Sequence, residues 1–287
     1  MLLNILKTLI FIANIYFSNS VVLDRALLTL WYPSFETDAS LSFYKKNITE
    51  VSVDTFIGLF DLQSLDLSSN FICNITHNTF KDLKNLVYLT LDSNCLSQVD
   101  SQMFFGLTNL QNLWLFNNNI NQISLATFIN LPNLQVLELQ YNHLNSLDSA
   151  LFMNLKNLTL LYINNNKLEF IDNKMFNGLK KLQYLDISNN QLSIDIDQNL
   201  VNGLSNLKSL YLSNNKIKII NGNALSNAMN LEVFYLNQNM ITVLDSSIFL
   251  NLKKLMIVYL GENPISDKQP DYVKSLCSKN PKCQIII

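Results

Sequence analysis

LQSLDLSSNFICNITHNTFKDLKN, residues 62–85, places leucine at 62, 65 and 67, asparagine at 70, isoleucine at 72 and 75, phenylalanine at 80 and leucine at 83. The same spacing returns from Leu86, Leu110, Leu134, Leu158 and Leu182, a constant step of 24 residues. After Leu182 one extra residue falls between Ser193 and Leu200, and the register resumes at Leu207 and Leu231. A last half-repeat runs from Leu255 through Val258, Leu260, Asn263 and Ile265. Backwards, Asp38 opens a degenerate first repeat with Leu41, Phe43, Ile48, Val51, Phe56 and Leu59. A fixed period over most of a chain means a stack of units, each burying its apolar face against its neighbours.

Numbering each unit 1 to 24 assigns every column a physical task. Positions 3 to 7 alternate as a short strand does, with 4 and 6 pointing inward and 3, 5 and 7 outward. One strand per unit gives a parallel sheet, with the rest of the unit as the return crossover. Position 9 is asparagine in nine of ten units, with Lys46 as the exception in the first. The chain turns sharply there, and an amide side chain can bridge inward-facing backbone groups to the next repeat. Position 19 is phenylalanine at 56, 80, 104, 128, 152, 176 and 249, with Val201 and Leu225 elsewhere, which predicts an aromatic spine on the far side of the core.

This pattern, LxxLxLxxNxIxxIxxxxFxxLxx, resembles the 24-residue form of the leucine-rich repeat family. It is similar to animal extracellular members: Toll-type receptor ectodomains, slit-like proteins and small leucine-rich proteoglycans. The resemblance covers residues 38 to about 266. It implies a curved α/β solenoid, a horseshoe with a parallel sheet on its concave face and irregular loops and short helical turns on its convex face. It also implies a binding role.

The organisation expected is a signal peptide over 1–20, an N-terminal cap over 21–37, nine full repeats and one partial over 38–266, and a C-terminal cap over 267–287. The opening twenty residues carry Lys7 as their one charge, an apolar run from Leu9 to Phe17 broken by Asn14, and small residues in Ser18-Asn19-Ser20. That is the pattern of a secretory leader, and the run is too short to span a bilayer. Leu23, Leu27, Leu28, Leu30 and Trp31 are the apolar candidates for the first cap. The cysteine cluster that the family often places there is missing. Asn263-Pro264 resembles the opening of the family's C-terminal cap, but Ile265 stands where a tryptophan and paired cysteines usually follow. A short helix from about Asp271 to Cys277, with Asp271 as N-cap, is expected. A Cys277–Cys283 disulfide fits a secreted chain. Cys73 and Cys95 fall near one surface of adjacent repeats, as a bridge or as two thiols.

No chemical site emerges. His77 and His143, the two histidines, read as solvated loop residues, and no nucleophile or phosphate loop accompanies them. No CxxC or histidine partner predicts a metal, and no cofactor motif occurs. Asp66, Asp92, Glu138 and Asp186 line one face, but a flat strand surface is expected to leave their pKa values unshifted. The chain therefore reads as a binding protein rather than an enzyme.

The binding surface expected is the concave face, positions 3, 5, 7 and 8. Eight of the eleven tyrosines fall there, including Tyr44, Tyr88, Tyr141, Tyr162, Tyr184, Tyr211, Tyr235 and Tyr259, and Trp114 and Phe116 join them. Tyrosine suits strands in general, yet interfaces are enriched in it. Lys45 is the one basic residue in these columns, against Asp66, Asp92, Glu138, Asp186 and Glu262, which argues against nucleic acid. The candidate contacts for a protein or peptide are Tyr88, Trp114, Phe116, Glu138, Tyr141, Tyr162, Tyr184, Asp186, Tyr211, Tyr235 and Tyr259. Three glycosylation sequons, at Asn47, Asn74 and Asn157, avoid this face. The function expected is secreted recognition of a protein or peptide in an innate immune or cell-surface setting. The alternatives are an adhesion or matrix protein, or a truncated receptor ectodomain. No membrane-spanning segment is expected, and the oligomeric state stays open.

Overall fold

Each repeat contributes one short strand at positions 3 to 5, and the strands stack in sequence order into one parallel sheet. The structure is a computed structural model that describes residues 20–172, 174–278 and 280–287, so the expected leader lies outside it except for Ser20. In chain order the strands are β1 (Val21–Leu23), β2 (Ser40–Ser42), β3 (Ile48–Val51), β4 (Ser64–Asp66), β5 (Tyr88–Thr90), β6 (Gln98–Val99), β7 (Asn112–Trp114) and β8 (Gln122–Ile123). They continue as β9 (Val136–Glu138), β10 (Leu160–Tyr162), β11 (Tyr184–Asp186), β12 (Ser209–Tyr211), β13 (Val233–Tyr235), β14 (Ile257–Tyr259) and β15 (Gln284–Ile286). Eleven of them form the main sheet, from β2 at one edge to β15 at the other. β6 and β8 make a small second pair, and β1 pairs in parallel with β3. The extra residue after Leu182 is absorbed in the loop, because Leu185 still faces Leu210 across β11 and β12.

The inward columns are closed to solvent. Leu137 and Leu139, at positions 4 and 6 of one repeat, are both 0% exposed, as are Phe104, Phe152 and Phe176 in the spine. Burying a leucine-sized side chain stabilises by about 1.5–3 kcal/mol, and this term recurs in every repeat.

The asparagine column behaves as a ladder, with one correction of direction. Each asparagine bridges to the preceding repeat, not the following one. Asn118 Nδ2 donates to Leu115 O at 3.1 Å in its own turn and to Leu91 O at 3.0 Å in the repeat before. Its Oδ1 accepts from Leu96 N, also in the repeat before, at 3.0 Å. The turn residue preceding each asparagine is left-handed, from Ser69 (φ 55°) to Glu262 (φ 55°), so the amide can swing inward. Lys46 is tolerated in the first repeat because no earlier repeat needs its bridge.

A second column was not anticipated. Asn109, Asn133, Asn157, Asn206 and Asn230, each just before an opening leucine, donate from Nδ2 to a carbonyl of the preceding repeat at 2.6–3.0 Å.

Curvature follows from two spacings. Phenylalanine rings of adjacent repeats in the spine lie 6.0–6.5 Å apart. Tyrosine rings over the sheet lie 4.2–4.8 Å apart. Across β10 to β14 the units are thus closer on the sheet side than the rings of the spine are, which bends the stack with the sheet as its concave face.

Both ends are covered. Helix α1 (Arg25–Trp31) is capped by Asp24, whose side chain accepts from Leu27 N, and it buries Leu27 and Leu28 on the first repeat. Leu30, expected inside, is instead exposed on the helix's outer side. Trp31 packs against Phe43 with ring centroids 5.9 Å apart. At the far end, helix α2 (Pro264–Lys268) is followed by α3 (Pro270–Ser275). Proline at the first turn of α3 sets its start, so Gln269 takes the N-cap and Asp271 lies inside the first turn, not at the cap. The final residues then add β15 to the sheet edge beside β14. Cys73 and Cys95 are disulfide-bonded, and so are Cys277 and Cys283.

Candidate ligand-binding face

Short strands position the outward side chains, and their register decides which of them meet. At position 5 the order across β7, β9, β10, β11, β12, β13 and β14 is Trp114, Glu138, Tyr162, Asp186, Tyr211, Tyr235 and Tyr259, each directly opposite the next. Tyr211, Tyr235 and Tyr259 stack nearly parallel, at 4.5 and then 4.2 Å. Asp186 interrupts this column because a carboxylate is too short to fill the slot. Tyr184, two residues upstream, leans into the gap. Its ring sits 4.7 Å from Tyr162 and 4.8 Å from Tyr211. Five rings thus form one continuous stack, and Asp186 lies beneath it, 8% exposed.

That burial corrects the expectation of unshifted carboxylates. Burial pushes the Asp186 carboxyl above its ordinary value, and two hydrogen bonds from Ser188 only partly oppose it. Burial also raises Asp92, and the charges of Asp66 and Glu138 add to the effect. Asp66 goes the other way. Burial acts upward on it, but donors from Ser68, Ser42 and Thr90 outweigh that and hold it low. The phenols respond as well: burial raises Tyr162, helped by Glu138 and Asp186. Burial and its bond with Tyr259 push Tyr235 up to about 12.

Upstream, the aromatics are sparser. Tyr88 stacks on Trp114 at 6.4 Å, and Trp114 Nε1 donates to Glu138 Oε1 at 2.7 Å. Gln140 Nε2 donates to the other Glu138 oxygen at 2.8 Å. Tyr141 sits on the left-handed turn (φ 56°) rather than on a strand, and neither it nor Phe116 joins a ring pair among the described residues. The structure therefore brings together Tyr162, Tyr184, Asp186, Tyr211, Tyr235 and Tyr259, with Tyr88, Trp114 and Glu138 as a second group. No cluster of metal-ligating side chains occurs among the described residues. His77 is an exposed loop residue, as expected, and its Nε2 lies 3.0 Å from Asp100.

Away from the sheet, a cavity of about 450 Å³ lies between the turn at Ser246–Phe249 and the last helix, lined by Leu252, Tyr272, Leu276 and Pro281 among others. Its polar groups serve the fold: Tyr272 donates to Leu244 O and Asn280 to Leu252 O.

Comparison with known families matches the leucine rich repeat model at residues 40–96, 61–120, 85–144, 132–192 and 194–241. The chain belongs to the leucine-rich repeat family. No curated protein matches this leucine-rich repeat chain. Solved structures do. One is the TLR13 complex with single-stranded RNA, at 21% identity and a TM-score of 0.63, covering 93% of this chain and 52% of that one. A leucine-rich repeat protein of Leptospira interrogans is 26% identical with a TM-score of 0.62, covering 88% and 73%. Toll from Drosophila, in complex with Spatzle, is 25% identical with a TM-score of 0.69, covering 82% and 34%. The leucine-rich repeat chain thus spans about half of the first receptor and about a third of Toll. Its fold resembles that of Toll-type ectodomains, and the leucine-rich repeat is a scaffold typically used for binding. No helix of the described residues is long and apolar enough to cross a membrane.

Proposed function

We propose that this leucine-rich repeat protein is secreted and recognises a protein or peptide on its concave face, in innate immune or cell-surface recognition. The observation that carries this is the continuous stack of Tyr162, Tyr184, Tyr211, Tyr235 and Tyr259. Stacked rings present a rigid strip of edges and hydroxyls, which meets a partner at little cost in side-chain entropy. The acidic residues among them favour a partner with basic groups, nearer in kind to Toll's complex than to an RNA complex. Two disulfides fit an oxidising compartment. Exposed Asn47 and Asn74 are the glycan positions we favour. At Asn157 the amide nitrogen donates to Pro132 O, so a glycan there would remove a ladder bond.

Replacing Tyr211, Tyr235 and Tyr259 together by alanine tests the reading. Capture of a partner from the extracellular fluid of the source tissue should fall at least tenfold while the circular dichroism spectrum stays that of the parent. Binding that survives in the folded triple variant overturns the concave assignment.

A further inference from the structure

The tyrosine stack has a beginning, and the chemistry changes there. Tyr162 has a ring neighbour on the Tyr184 side, but its other cross-strand neighbour is Glu138. Asp186 faces Tyr162 from the opposite strand. Two carboxylates therefore flank one aromatic residue, one strand away on each side. The next outward position along the same strands holds Gln140 and Asn164. Gln140 Oε1 and Asn164 Oδ1 are buried acceptors without a hydrogen-bond donor. An orphan buried acceptor costs about 1–3 kcal/mol, and two on neighbouring strands point to a missing donor group.

The charge is unbalanced too. Asp186 is more than nine-tenths buried, yet its hydrogen bonds come from Ser188 alone. The ion pairs among the described residues are Arg25–Glu36 and His77–Asp100, both far along the chain. No basic side chain occupies the sheet columns of these repeats. Acceptors from three consecutive repeats thus converge around Tyr162 without any cation to match.

We propose that the open Glu138 side of Tyr162, with Gln140 and Asn164 beside it and the buried Asp186 carboxylate behind it, is an anchor site for an arginine of the bound protein or peptide. A guanidinium is planar and always charged, and it carries five donors but no acceptor. It matches this set: one reachable carboxylate, Glu138, two amide oxygens and an aromatic wall free on its Glu138 side, with the Asp186 charge acting from beneath the stack. The terminal torsions of Gln140 and Asn164 are soft, so each amide oxygen can turn outward toward the group, Gln140 exchanging its bond to Glu138 for one from the guanidinium. An ammonium has three donors on one point and leaves the outer acceptors unmet. The inference rests on the concave face being the binding surface, and the two can fail separately.

A library of random heptapeptides, panned on the full folded chain, is the test. Peptides enriched in arginine over lysine are expected. Their affinity should fall at least tenfold in Glu138→Gln, which keeps the acceptor used by Trp114 and needs only the Gln140 amide to turn over to accept from the new one, and by a smaller factor in Asp186→Asn, which keeps the acceptor used by Ser188. Glu262→Gln, an acidic site on the same face but outside the anchor, should change binding less than twofold. Selected peptides without an arginine excess, lost in the triple tyrosine variant, would overturn the anchor and leave the face. Arginine peptides indifferent to Glu138, Asp186 and the tyrosines alike would overturn both. If Asp186→Asn fails to fold, Glu138→Gln alone decides.

Discussion

Asp66 and Asp186 hold the same position in their repeats, yet burial prevails in only one of them. Asp66 accepts four hydrogen bonds: from Ser68 N and Oγ, Thr90 Oγ1 and Ser42 Oγ. Asp186 accepts two, both from Ser188, and lies deeper. Their linkage to pH must therefore have opposite sign. Asp66 has a depressed folded pKa, so its contribution to stability is present above the unfolded value and is lost as pH falls through the folded one. Asp186 has a raised folded pKa, so its ionisation costs stability as pH rises through that value. At pH 7, Asp66→Asn should lower Tm and Asp186→Asn should raise it. Both differences should shrink toward zero on acidification below the ordinary aspartate range. Thermal melts of both variants at pH 7 and in acid check this; a shared sign at pH 7 refutes it. An aspartate at position 5 looks the same in either repeat when read as sequence. Whether it is buried depends on tyrosines that stand a repeat away, and on Tyr184 leaning into its slot.

Among the elements, the two disulfides brace different structures. Cys73–Cys95 ties adjacent repeats across a separation of 22 residues, whereas Cys277–Cys283 closes a separation of 6 beneath the last cap. Loop-closure entropy assigns the longer loop about 3 kcal/mol and the shorter about 2 kcal/mol. In a solenoid, loss of either should act locally. Replacing Cys277 and Cys283 by serine should loosen α3 and β15 and raise hydrogen exchange at β14. The Cys73→Ser/Cys95→Ser variant should cost more in total stability yet leave β14 protected. Equal exchange at β14 in both variants would show that the C-terminal bridge does not hold the cap. These end elements were the least legible part of the sequence. The repeat strands announce themselves through leucine columns aligned over ten repeats. β15 has no periodic companion, and Gln284–Ile286 reads as a stray apolar tail until its pairing with β14 is seen. The second asparagine column was hidden for a different reason. Its residues stand in polar loops, where a bonded amide and a solvated one look alike.

At the scale of the molecule, stability is a chain of interfaces between neighbours, and the weakest of them sets where the solenoid opens. The phenylalanine spine runs with nearly parallel rings from Phe104 to Phe176. Beyond Phe176 the column holds Val201 and then Leu225, and the next phenylalanine, Phe249, follows Leu225 rather than another ring. A phenylalanine buries more surface than valine, and each stacked aromatic pair adds about 0.5–1.5 kcal/mol beyond it. The insertion after Ser193 falls in the same stretch. Over the sheet the bias is reversed, because the tyrosine stack is densest across these same repeats. The two faces should therefore separate under native-state hydrogen exchange. Loop amides from about residue 194 to 225 should exchange faster than their counterparts from 98 to 152, while strand amides of β11 to β13 stay protected. Uniform protection of the loops along the whole solenoid would mean that the spine's missing rings are made good by Val201 and Leu225 alone. Early opening of β11 to β13 would mean that the stacked tyrosines add no rigidity to the sheet, and that the concave face is less ordered than a preformed recognition surface requires.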